Sequence, residues 1–386
     1  MKILVINTGS SSLKYQVFDM KQDVLVLKGS IEKIGEEGSS FVDHTQALQS
    51  VVDILSTSGN MDIEAIGHRV VHGGEYFKNP VIITDEVIAK ITACSDLAPL
   101  HNPANLQAIL PCRNLFPILP QVAVFDTAFH QTMEPAHYLY ALPIKYYETY
   151  KIRRYGFHGI SHQYIYEKLL EKLKNGEVEK LKEVKTEDLK VITCHIGNGA
   201  SITAIKGGKV VETSMGMTPL EGLMMGTRSG NIDPAIITYL MVHEHKTAEQ
   251  IDELLNKRSG LLGISGVSND MRDIVAGVEQ GNPACSLALD MYINALVKYI
   301  GAYAGILGGV DVIVLTAGVM EHRTIVRTML LQRLSWMGVV FDPEANRSET
   351  LEKIVTTPDS QVTVLIIPTN EELMIAKETY TLIHNV

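Results

Sequence analysis

Serine, glycine and lysine side chains cluster near the N-terminus in a pattern that could bind phosphate. Ser10 and Ser12 lie in the turn Gly9–Ser12, and Lys14 follows on the next predicted strand. Glycine lets the backbone approach an anion closely, while hydroxyl and backbone N–H groups donate hydrogen bonds to phosphate oxygens. Asn7, just before the turn, could offer its amide oxygen to a hydrated metal ion. An ordinary serine-rich hairpin is the structural alternative, and this short motif alone does not decide between them.

A second turn of the same kind follows about half a chain later. A β-branched segment from Lys190 ends at Gly197-Asn198-Gly199, and an alternating segment continues to Ile205. Two phosphate-binding hairpins half a chain apart predict two related halves that close on one nucleotide.

Two arginines occupy positions where an anion could be bound. Arg69 lies near the end of the predicted strand Ile63–Val71, which runs into a Gly-Gly turn, and Arg228 stands in a loop with glycines on both sides. A guanidinium group can hold a carboxylate or phosphate through two parallel hydrogen bonds. A surface ion pair is the alternative for Arg69. Packing gives few reasons for an arginine among glycines, so Arg228 is the stronger candidate for a substrate contact.

Three further polar residues stand at strand ends or helix starts. Asp126 follows the predicted strand Gln121–Phe125, at the end of the strand where open α/β sheets bind ligands, although it could instead cap a helix. His158, before a predicted helix, could donate to an anion or be a structural residue. Glu371, at the start of the C-terminal helix, could hold metal-bound water or favour the helix electrostatically.

The elements that must position these residues are those of an α/β protein. β-Branched segments such as Val310–Leu315 and Val362–Ile367 each end in a polar turn, and helical patterns lie between such segments. The most apolar stretch, Ala284–Leu307, carries Asp290 and Asn294 on one stripe, which indicates a buried helix rather than a membrane span. A length of 386 residues predicts two domains.

Composition excludes several classes of protein. Hydrophobic residues make up 46% of the chain and charged residues 20%, the balance of a soluble globular protein. The net charge of −10 argues against a nucleic-acid partner. Four scattered cysteines form no Cys-x-x-Cys pair, so neither a zinc site nor a disulfide framework is indicated, and a reducing, cytoplasmic setting is expected. P-loop, dinucleotide-binding, serine-hydrolase and zinc-helix motifs do not occur.

Seven motifs occur along the chain in the order found in one enzyme family. They are GHRVVHGG, LAPLHNP, FDTAFHQTM, RRYGFHGISH, HIGNGAS, EGLMMGTRSGNIDP and SNDMRD. With NTGSSSLK near the start and IPTNEEL near the end, the chain resembles the acetokinase family over nearly its whole length. That family belongs to the acetate and sugar kinase, heat-shock ATPase and actin superfamily.

The resemblance implies a fold, a reaction and an assembly. The fold is α/β, with two domains of the duplicated actin-like ATPase (ribonuclease H-like) fold and an interdomain cleft. Residues 1–150, completed by the C-terminal helix 371–386, would form one domain, and residues 151–370 the other. The reaction is reversible transfer of a phosphoryl group from ATP to acetate, giving acetyl phosphate and ADP, with Mg²⁺ or Mn²⁺. The family further implies a homodimer, with no nucleic-acid or membrane partner.

The resemblance also implies roles for individual residues. Asn7 and Glu371 would hold the metal ion through its water shell. Asp126, His158 and Arg228 would be catalytic, with His158 stabilising the transition state. The acid would be bound by Arg69 and by four apolar residues: Val71, Leu100, Phe157 and Pro219. The nucleotide would be bound by Lys14, Ser10, Ser12, His195, Ile196, Gly197, Asn198, Gly199, Asp270, Met271, Arg272, Gly318, Val319, Met320, Glu321 and His322.

The role of Asp126 can be narrowed chemically. A carboxylate nucleophile has no proton to lose at neutral pH, so Asp126 is not expected to be a general base. We expect it to orient Arg69, Arg228 or a metal-bound water.

One motif departs from the family pattern and leaves alternatives open. The family usually has Gly-Ile-Gly-Glu-Asn where this chain has Gly-Val-Met-Glu-His at positions 318–322. Met320 and His322 predict a narrower adenosine side, so pyrophosphate or an unusual nucleotide remains a possible phosphoryl donor. A propionate or short-chain acid kinase is the second alternative. A nucleotide-switched binding module of the same fold is the third, although two arginines beside an apolar pocket argue against it.

Overall fold

A computed structural model describes residues 1–99 and 101–385 of the chain. Two mixed sheets of six strands each organise these residues. The strands, numbered in chain order, are β1 (Lys2–Thr8), β2 (Ser12–Asp19), β3 (Val24–Glu32), β4 (Ile63–Val70), β5 (Val81–Ile82), β6 (Gln121–Phe125), β7 (Lys190–Ile196), β8 (Ala200–Lys206), β9 (Lys209–Thr213), β10 (Val312–Thr316), β11 (Lys353–Ile354) and β12 (Thr363–Ile366).

Helices connect and flank the strands. In chain order they are α1 (His44–Thr57), α2 (Asp85–Ala93), α3 (Asn102–Leu115), α4 (Pro135–Tyr138), α5 (Lys145–Tyr150), α6 (Gly159–Lys174), α7 (Ala235–His243), α8 (Ala248–Lys257), α9 (Gly260–Ser265), α10 (Met271–Glu279), α11 (Pro283–Leu307), α12 (Ala317–His322), α13 (Thr324–Arg333), α14 (Pro343–Arg347) and α15 (Glu371–His384).

The two sheets have the same topology. The first has the order β3-β2-β1-β4-β6-β5 and the second the order β9-β8-β7-β10-β12-β11. In each, the first three strands are antiparallel neighbours, the next two pairings are parallel, and the last edge strand is antiparallel. The central parallel strands β6 and β10 are buried along their whole length, as parallel strands covered on both faces usually are. The duplication inferred from the two glycine-containing hairpins is therefore confirmed.

The described residues form two compact units. The first unit comprises residues 1–131, 158–164 and the C-terminal segment from Asn370, and the second comprises residues 132–157 and 165–369. Each unit contains one of the two sheets. The domain bounds expected from the sequence remain a prediction.

Helix α1 covers part of the first sheet. Asp43 caps the helix by accepting a hydrogen bond from the backbone N–H of Gln46 at 2.9 Å. The helix buries one apolar stripe with the spacing of an amphipathic helix: Ala47, Leu48, Val51 and Leu55. These side chains pack with residues of β1 and β2 in one core cluster that includes Leu4, Ile6, Leu13 and Tyr15.

Helix α15 returns to the first sheet and packs against β1 and β4. Gly67 in β4 permits the close approach, because a Cβ atom there would lie 2.5 Å from Thr379 Oγ1 and 2.7 Å from Ile375 Cγ2. The Asn370 side chain caps the helix. This packing fixes Glu371 at the helix start, against the sheet.

In the second unit, α11 is a helix of 25 residues, at the place where the sequence predicts a buried helix. Asn282 caps its N-terminus, and Gly308 ends it in the left-handed conformation with φ of 65°. Asp290 and Asn294, the predicted polar stripe, accept hydrogen bonds from Arg333. No helix in the described part of the chain is both long and apolar enough to cross a membrane.

Candidate active site

Three predicted site residues meet at one edge of the first sheet. Strands β1, β4 and β6 are parallel neighbours, so their carboxyl ends lie at the same edge. Asn7 is near the end of β1, Arg69 is near the end of β4, and Asp126 directly follows β6. The backbone N–H of Asp126 donates to Val70 O at 3.0 Å, which extends the β4–β6 pairing by one residue. The parallel sheet thus brings together residues that lie far apart in the sequence.

Arg69 is held by Asp126 in a two-point ion pair. Arg69 Nε donates to Asp126 Oδ1 at 3.3 Å, Nη2 donates to Oδ2, and Nη1 donates to Asn7 Oδ1 at 3.3 Å. The Asp126 side chain is 1% exposed and that of Arg69 19%. Burial disfavours the charged guanidinium, but Asp126 and Glu371 outweigh burial and raise the pKa of Arg69 above its usual value. Of the three partners considered for Asp126, the structure places Arg69 in contact with it.

Two carboxylates from the start of α15 complete this cluster. Glu371 Oε2 lies 3.8 Å from Arg69 Nε, and Glu372 Oε1 accepts a hydrogen bond from Asn7 Nδ2 at 3.1 Å. Burial raises the pKa of Glu371, although the positive charge of Arg69 opposes this shift. Glu372 adds to the upward shift of the Glu371 pKa, and Lys14 opposes it together with Arg69.

This set of oxygen donors fits a hydrated divalent cation. Mg²⁺ prefers carboxylate and amide oxygens, and it usually keeps several of its waters. Among the described residues, no group of three or more histidine, cysteine, aspartate or glutamate side chains is close enough to hold a metal directly. Binding of the metal ion by Asn7 and Glu371 through its water shell, as the resemblance implies, remains a prediction.

The N-terminal turn is fixed by hydrogen bonds that leave its serines near the surface. Gly9 N donates to Ser12 O at 2.8 Å, and His44 Nε2 lies 3.0 Å from Gly9 O. Ser10 is exposed and Ser12 is half-buried. Lys14 is exposed and lies directly opposite Asn7 in the β1–β2 register, with no carboxylate at ion-pair distance in the described part of the chain. The turn and Lys14 can thus receive an anion.

His158 is placed beside Asp126 through the backbone. Its φ of 58° is left-handed, and the following Gly159 donates its N–H to Asp126 O at 2.9 Å as α6 begins. Val71, predicted to line the acid pocket, is 4% exposed, and its N–H donates to Asn105 Oδ1 at 3.0 Å. Leu100, the other apolar residue predicted from this part of the sequence, lies outside the described residues.

The second unit contains an open cavity of about 440 Å³. It lies where the β7–β8 turn, the end of β10 and the start of α10 come together. Its lining consists of Gly197, Asn198, Gly226, Leu261, Asn269, Asp270, Met271, Arg272, Tyr292, Gly318, Val319, His322 and Arg323. The cavity is mixed in character, with apolar side chains, amides and cations, as ligand pockets usually combine apolar and polar groups.

Lys14, Ser10 and Ser12 belong to the first unit, and eight of the thirteen other residues predicted to bind the nucleotide line this cavity. They are Gly197, Asn198, Asp270, Met271, Arg272, Gly318, Val319 and His322. Five other predicted residues are not part of the lining: His195, Ile196, Gly199, Met320 and Glu321. Met320 is 0% exposed, which places it beneath the surface of the cavity, and Ile196 is likewise buried. Glu321 Oε1 instead accepts from the backbone N–H groups of Ala317 at 2.7 Å and Thr369 at 3.1 Å.

The charged rim of the cavity is partly paired. Asp270 caps α10 by accepting from Arg272 N at 2.8 Å, and the Arg272 guanidinium binds the same carboxylate. These side-chain and backbone hydrogen bonds lower the pKa of Asp270 to about 2. Arg323 has no carboxylate at ion-pair distance among the described residues, so one cation at the rim is left for a ligand.

Arg228 has a different environment from Arg69. Its Nη1 donates to Pro219 O at 3.2 Å and lies 3.7 Å from Met225 Sδ. No described carboxylate lies within ion-pair distance, and burial alone lowers its pKa from the usual value. Arg228 is thus in contact with the segment that contains Pro219, another residue predicted for the acid pocket. Phe157, also predicted there, is 2% exposed.

Several residues around these sites were not found by sequence reasoning. In the first unit they include His44, Asn105 and Glu372, which hold the Gly9 turn, Val71 and Asn7. In the second unit they include Arg323, at the cavity, and Arg327, which lies behind α12. Glu372 could have been found as the neighbour of Glu371 in the first turn of a helix. The others lie on separate elements and carry no local sequence signal.

Comparisons with known proteins agree along the whole chain. Residues 2–377 match the model of the acetokinase family. The acetate kinase of Treponema denticola is 51% identical, over 99% of this chain and 100% of that protein. The crystal structure of Porphyromonas gingivalis acetate kinase is 44% identical, with a TM-score of 0.91 over 99% of both chains. A propionate kinase from Francisella tularensis is 38% identical, with a TM-score of 0.89 over 98% of this chain and 99% of that one.

These matches confirm the fold class expected from the sequence, two duplicated α/β halves of the actin-like ATPase type. The extent and identity of the matches also settle the family. The chain belongs to the acetokinase family.

Proposed function

We propose that this chain is a phosphotransferase that catalyses reversible transfer of the γ-phosphoryl group of ATP to acetate, giving acetyl phosphate and ADP. An acetate oxygen forms a bond to the γ-phosphorus while the bond between that phosphorus and the β,γ-bridging oxygen breaks. ADP leaves with the electron pair, and no proton has to be moved. Because two anions must approach each other, the barrier consists mostly of charge repulsion and alignment.

The observation that carries the proposal is the environment of the Arg228 guanidinium group. Among the described residues, the half-buried Arg228 guanidinium hydrogen-bonds a backbone carbonyl and a thioether and has no carboxylate partner, which buried charges normally have. An anionic substrate group supplies that partner. We assign to Arg228 the stabilisation of charge on the transferring phosphoryl group, which a preorganised cation does without reorganisation during the reaction.

Arg69 has a complementary role in this proposal. Asp126 occupies one side of its guanidinium fork and fixes its orientation, so the group is rigid before substrate arrives. We assign acetate binding to Arg69, with Val71, Phe157 and Pro219 contacting the methyl group. Asp126 then acts by orienting Arg69 rather than as a base, because the acid is already ionised.

The remaining predicted residues act on the nucleotide and its phosphates. Lys14 and the Ser10 and Ser12 hydroxyls would bind phosphate oxygens, and His158 would donate to the transition state. The cavity between the β7–β8 turn and α10 would hold the nucleoside, with Met271 and Val319 as apolar contacts. Asn7 and Glu371 would hold the water shell of Mg²⁺. When bound, the metal ion would neutralise phosphate charge and fix the geometry of the phosphate chain.

A direct assay tests the proposal. The purified protein is incubated with acetate, propionate or butyrate, each with ATP, GTP or pyrophosphate, and acyl phosphate is trapped with hydroxylamine. We expect the highest kcat/KM with acetate and ATP, and loss of turnover when EDTA removes the metal. The variant Arg113→Lys is the control for substitutions of the site arginines. The Arg113 guanidinium pairs with Asp85 at 2.7 Å on the surface of the first unit.

Each alternative has its own outcome in this assay. A higher kcat/KM with propionate than with acetate would replace the acetate assignment by that of a propionate kinase. Turnover with pyrophosphate but not ATP would reject the nucleotide donor. Nucleotide binding without acid-dependent turnover would indicate a binding module rather than an enzyme.

We also propose a homodimer in a reducing, cytoplasmic compartment. Helix α7 is apolar on most of its surface yet buries none of its nine residues, and Ile236, Tyr239 and Val242 are exposed. An exposed apolar face of this kind is typical of a subunit interface. All four cysteines are free and buried, which suits a reducing compartment. Light scattering of the purified chain should give twice the mass of 42.6 kDa, and a monomer mass would reject the dimer.

A further inference from the structure

Arg327 is the largest fully buried side chain of the described residues, and the proposed reaction does not use it. It lies in α13 and is 2% exposed. Every nitrogen of its guanidinium group donates a hydrogen bond, and every acceptor is neutral. The acceptors are Asn346 Oδ1 at 2.7 Å, Met320 O at 2.8 Å, Glu321 O at 3.1 Å, Thr324 Oγ1 at 3.0 Å and Asn346 O at 2.8 Å.

Two of these acceptors belong to α12, the short helix beside the nucleoside cavity. The last carbonyls of a helix have no partner within the helix, and a helix of six residues is not stable by itself. Arg327 supplies the missing donors to Met320 O and Glu321 O. The same helix presents Gly318, Val319 and His322 to the cavity. Arg327 therefore fixes one end of a helix whose other face lines the cavity.

The opposite end of α12 is fixed in a similar way. Glu321 Oε1 accepts from Ala317 N at 2.7 Å, and Ala317 has the left-handed φ of 67°, which is unusual for a residue with a side chain. A backbone conformation of this kind persists only where its surroundings hold it. Buried polar side chains thus anchor α12 at its first and its last residues, and the position of the helix is strongly constrained.

Packing alone does not account for an arginine here. Replacement of a buried charge by an apolar side chain of similar volume is often neutral or stabilising. The charge of Arg327 is not compensated by a described carboxylate, and Lys353, a second cation, donates to Asn346 O at 3.4 Å. Burial lowers the pKa of both groups. An apolar side chain could not supply the several N–H donors with which the guanidinium group of Arg327 binds the helix carbonyls.

We propose that Arg327 is a positioning residue for nucleotide binding, which acts by holding α12 against α13 and α14 so that Val319 and His322 keep their places at the cavity. The proposal rests on the proposed function, in which this cavity receives the nucleoside. The new inference goes beyond that function because it assigns a role to a residue that touches no substrate.

Variants of Arg327 test the proposal. Arg327→Lys keeps the charge but loses the planar fork, and Arg327→Met keeps much of the volume but loses every donor. Because hydrogen bonds to a charged donor are strong, we expect Arg327→Met to raise the KM for ATP about tenfold or more. The KM for acetate should change less than about twofold, and Arg327→Lys should fall between the wild type and Arg327→Met.

The matched control is Arg333→Met on the same helix. Arg333 hydrogen-bonds Asp290 and Asn294 of α11, and in the described part of the chain it makes no hydrogen bond to α12. We expect this control to leave both KM values unchanged, even if it lowers the melting temperature. Binding of a fluorescent ATP analogue without any acid gives a second readout. It separates a failure of this proposal from a failure of the acetate assignment, because the latter would leave nucleotide binding intact.

Two results would overturn the proposal. The first is a folded Arg327→Met or Arg327→Lys variant with a lower melting temperature but wild-type KM and analogue affinity, which would make Arg327 purely structural. The second is an equal rise in KM for ATP and acetate. If Arg327→Met does not fold, Arg327→Lys alone decides, because it retains the charge and most of the length of the side chain.

Discussion

At the scale of single residues, the two arginines predicted for the same reaction differ in how their charges are balanced. Arg69 is paired with Asp126 inside the first unit, whereas the hydrogen-bond partners of Arg228 in the described part of the second unit are neutral. The first guanidinium is oriented by the protein before substrate arrives, and the second needs an anion to complete its environment. We therefore expect both arginines to be equally important for turnover, but Arg69 to be more important than Arg228 for stability.

The variants Arg69→Ala and Arg228→Ala test this difference. Both should lower kcat about 10²-fold or more, since each removes a preorganised charge contact. Arg69→Ala leaves the buried Asp126 carboxylate without its partner, so it should also lower the free energy of unfolding by about 3 kcal/mol. Arg228→Ala removes a cation that has no carboxylate partner, so its unfolding free energy should stay within about 0.5 kcal/mol of the wild type. Urea unfolding and steady-state kinetics measure both quantities.

The exposed Arg258, which pairs with Glu253 at 2.8 Å, is the control for Arg228. Arg258→Ala should change neither turnover nor stability. Equal destabilisation by Arg69→Ala and Arg228→Ala would contradict the difference in charge balance described above.

Sequence reasoning found both arginines but not their surroundings. The glycines around Arg228 and the strand end at Arg69 are local signals, and they mark both residues as candidates. The partner of Arg69 is 57 residues away and is brought near by parallel strand pairing, which no local pattern reveals. The same holds for Glu372 beside Asn7, at a separation of 365 residues. Local spacing therefore predicts candidate side chains, whereas their pairing depends on the fold.

At the scale of elements, strands and long helices were predictable and short ones were not. Both glycine-containing hairpins and α11 follow from periodicity in the sequence. Helix α6, predicted to follow His158, begins at Gly159. Its start is fixed by a tertiary contact that the sequence does not reveal, because Gly159 N donates to Asp126 O.

The variant Gly159→Ala tests that contact. A Cβ atom at Gly159 would lie 2.1 Å from the backbone oxygen of Asp126, so α6 and the end of β6 would have to move apart. Because backbone atoms cannot rotate away as side chains do, we expect a loss of about 2 kcal/mol or more in the free energy of unfolding. The kcat should also fall at least about tenfold, because Asp126 would no longer hold Arg69 in place.

Gly305 in α11 is the matched control, because a Cβ atom there meets nothing within 4 Å. Gly305→Ala should stabilise the protein by about 0.5 to 1 kcal/mol through the higher helix propensity of alanine. Both variants introduce the same methyl group into a helix. A similar stability of the Gly159→Ala and Gly305→Ala variants would show that the start of α6 can move to accommodate a Cβ atom. That result would contradict the close approach seen at Asp126.

At the scale of the whole molecule, the repeated sheet order was foreseeable from two similar turns, but the distribution of buried charge was not. A net charge of −10 gives no hint that uncharged histidines are buried in the first unit. His68 is 1% exposed and its Nε2 pairs with Gln121 Oε1 at 2.9 Å, and His130 is 0% exposed. Burial lowers the pKa of His68 to about 4 and that of His130 to about 3, although a hydrogen bond opposes each shift. These histidines make the first unit sensitive to acid.

The direction of this sensitivity follows from proton binding. Between about pH 6.5 and pH 4 the unfolded chain takes up a proton at His68 while the folded chain does not, so stability falls as the pH falls. Below the folded pKa both states are protonated and the loss levels off. Each pH unit within this window removes about 1.4 kcal/mol per histidine. For His68 alone, about 2 kcal/mol should be lost between about pH 6.5 and pH 5.

Replacement of His68 by glutamine isolates this contribution. Glutamine can still donate to Gln121 but does not titrate, so His68→Gln should remove about 2 kcal/mol of the pH dependence between about pH 6.5 and pH 5. His384→Gln, at an exposed position of α15, should leave the wild-type slope unchanged. Amide hydrogen exchange in β4 reports on the first unit, whereas the single tryptophan, Trp336, lies in the second and follows that unit separately. If exchange in β4 of His68→Gln kept the full wild-type pH dependence, burial of His68 would not be what makes the first unit acid-sensitive. The acid response would then have to come from carboxylates such as those around Arg69, whose protonation breaks an ion pair instead of burying a charge.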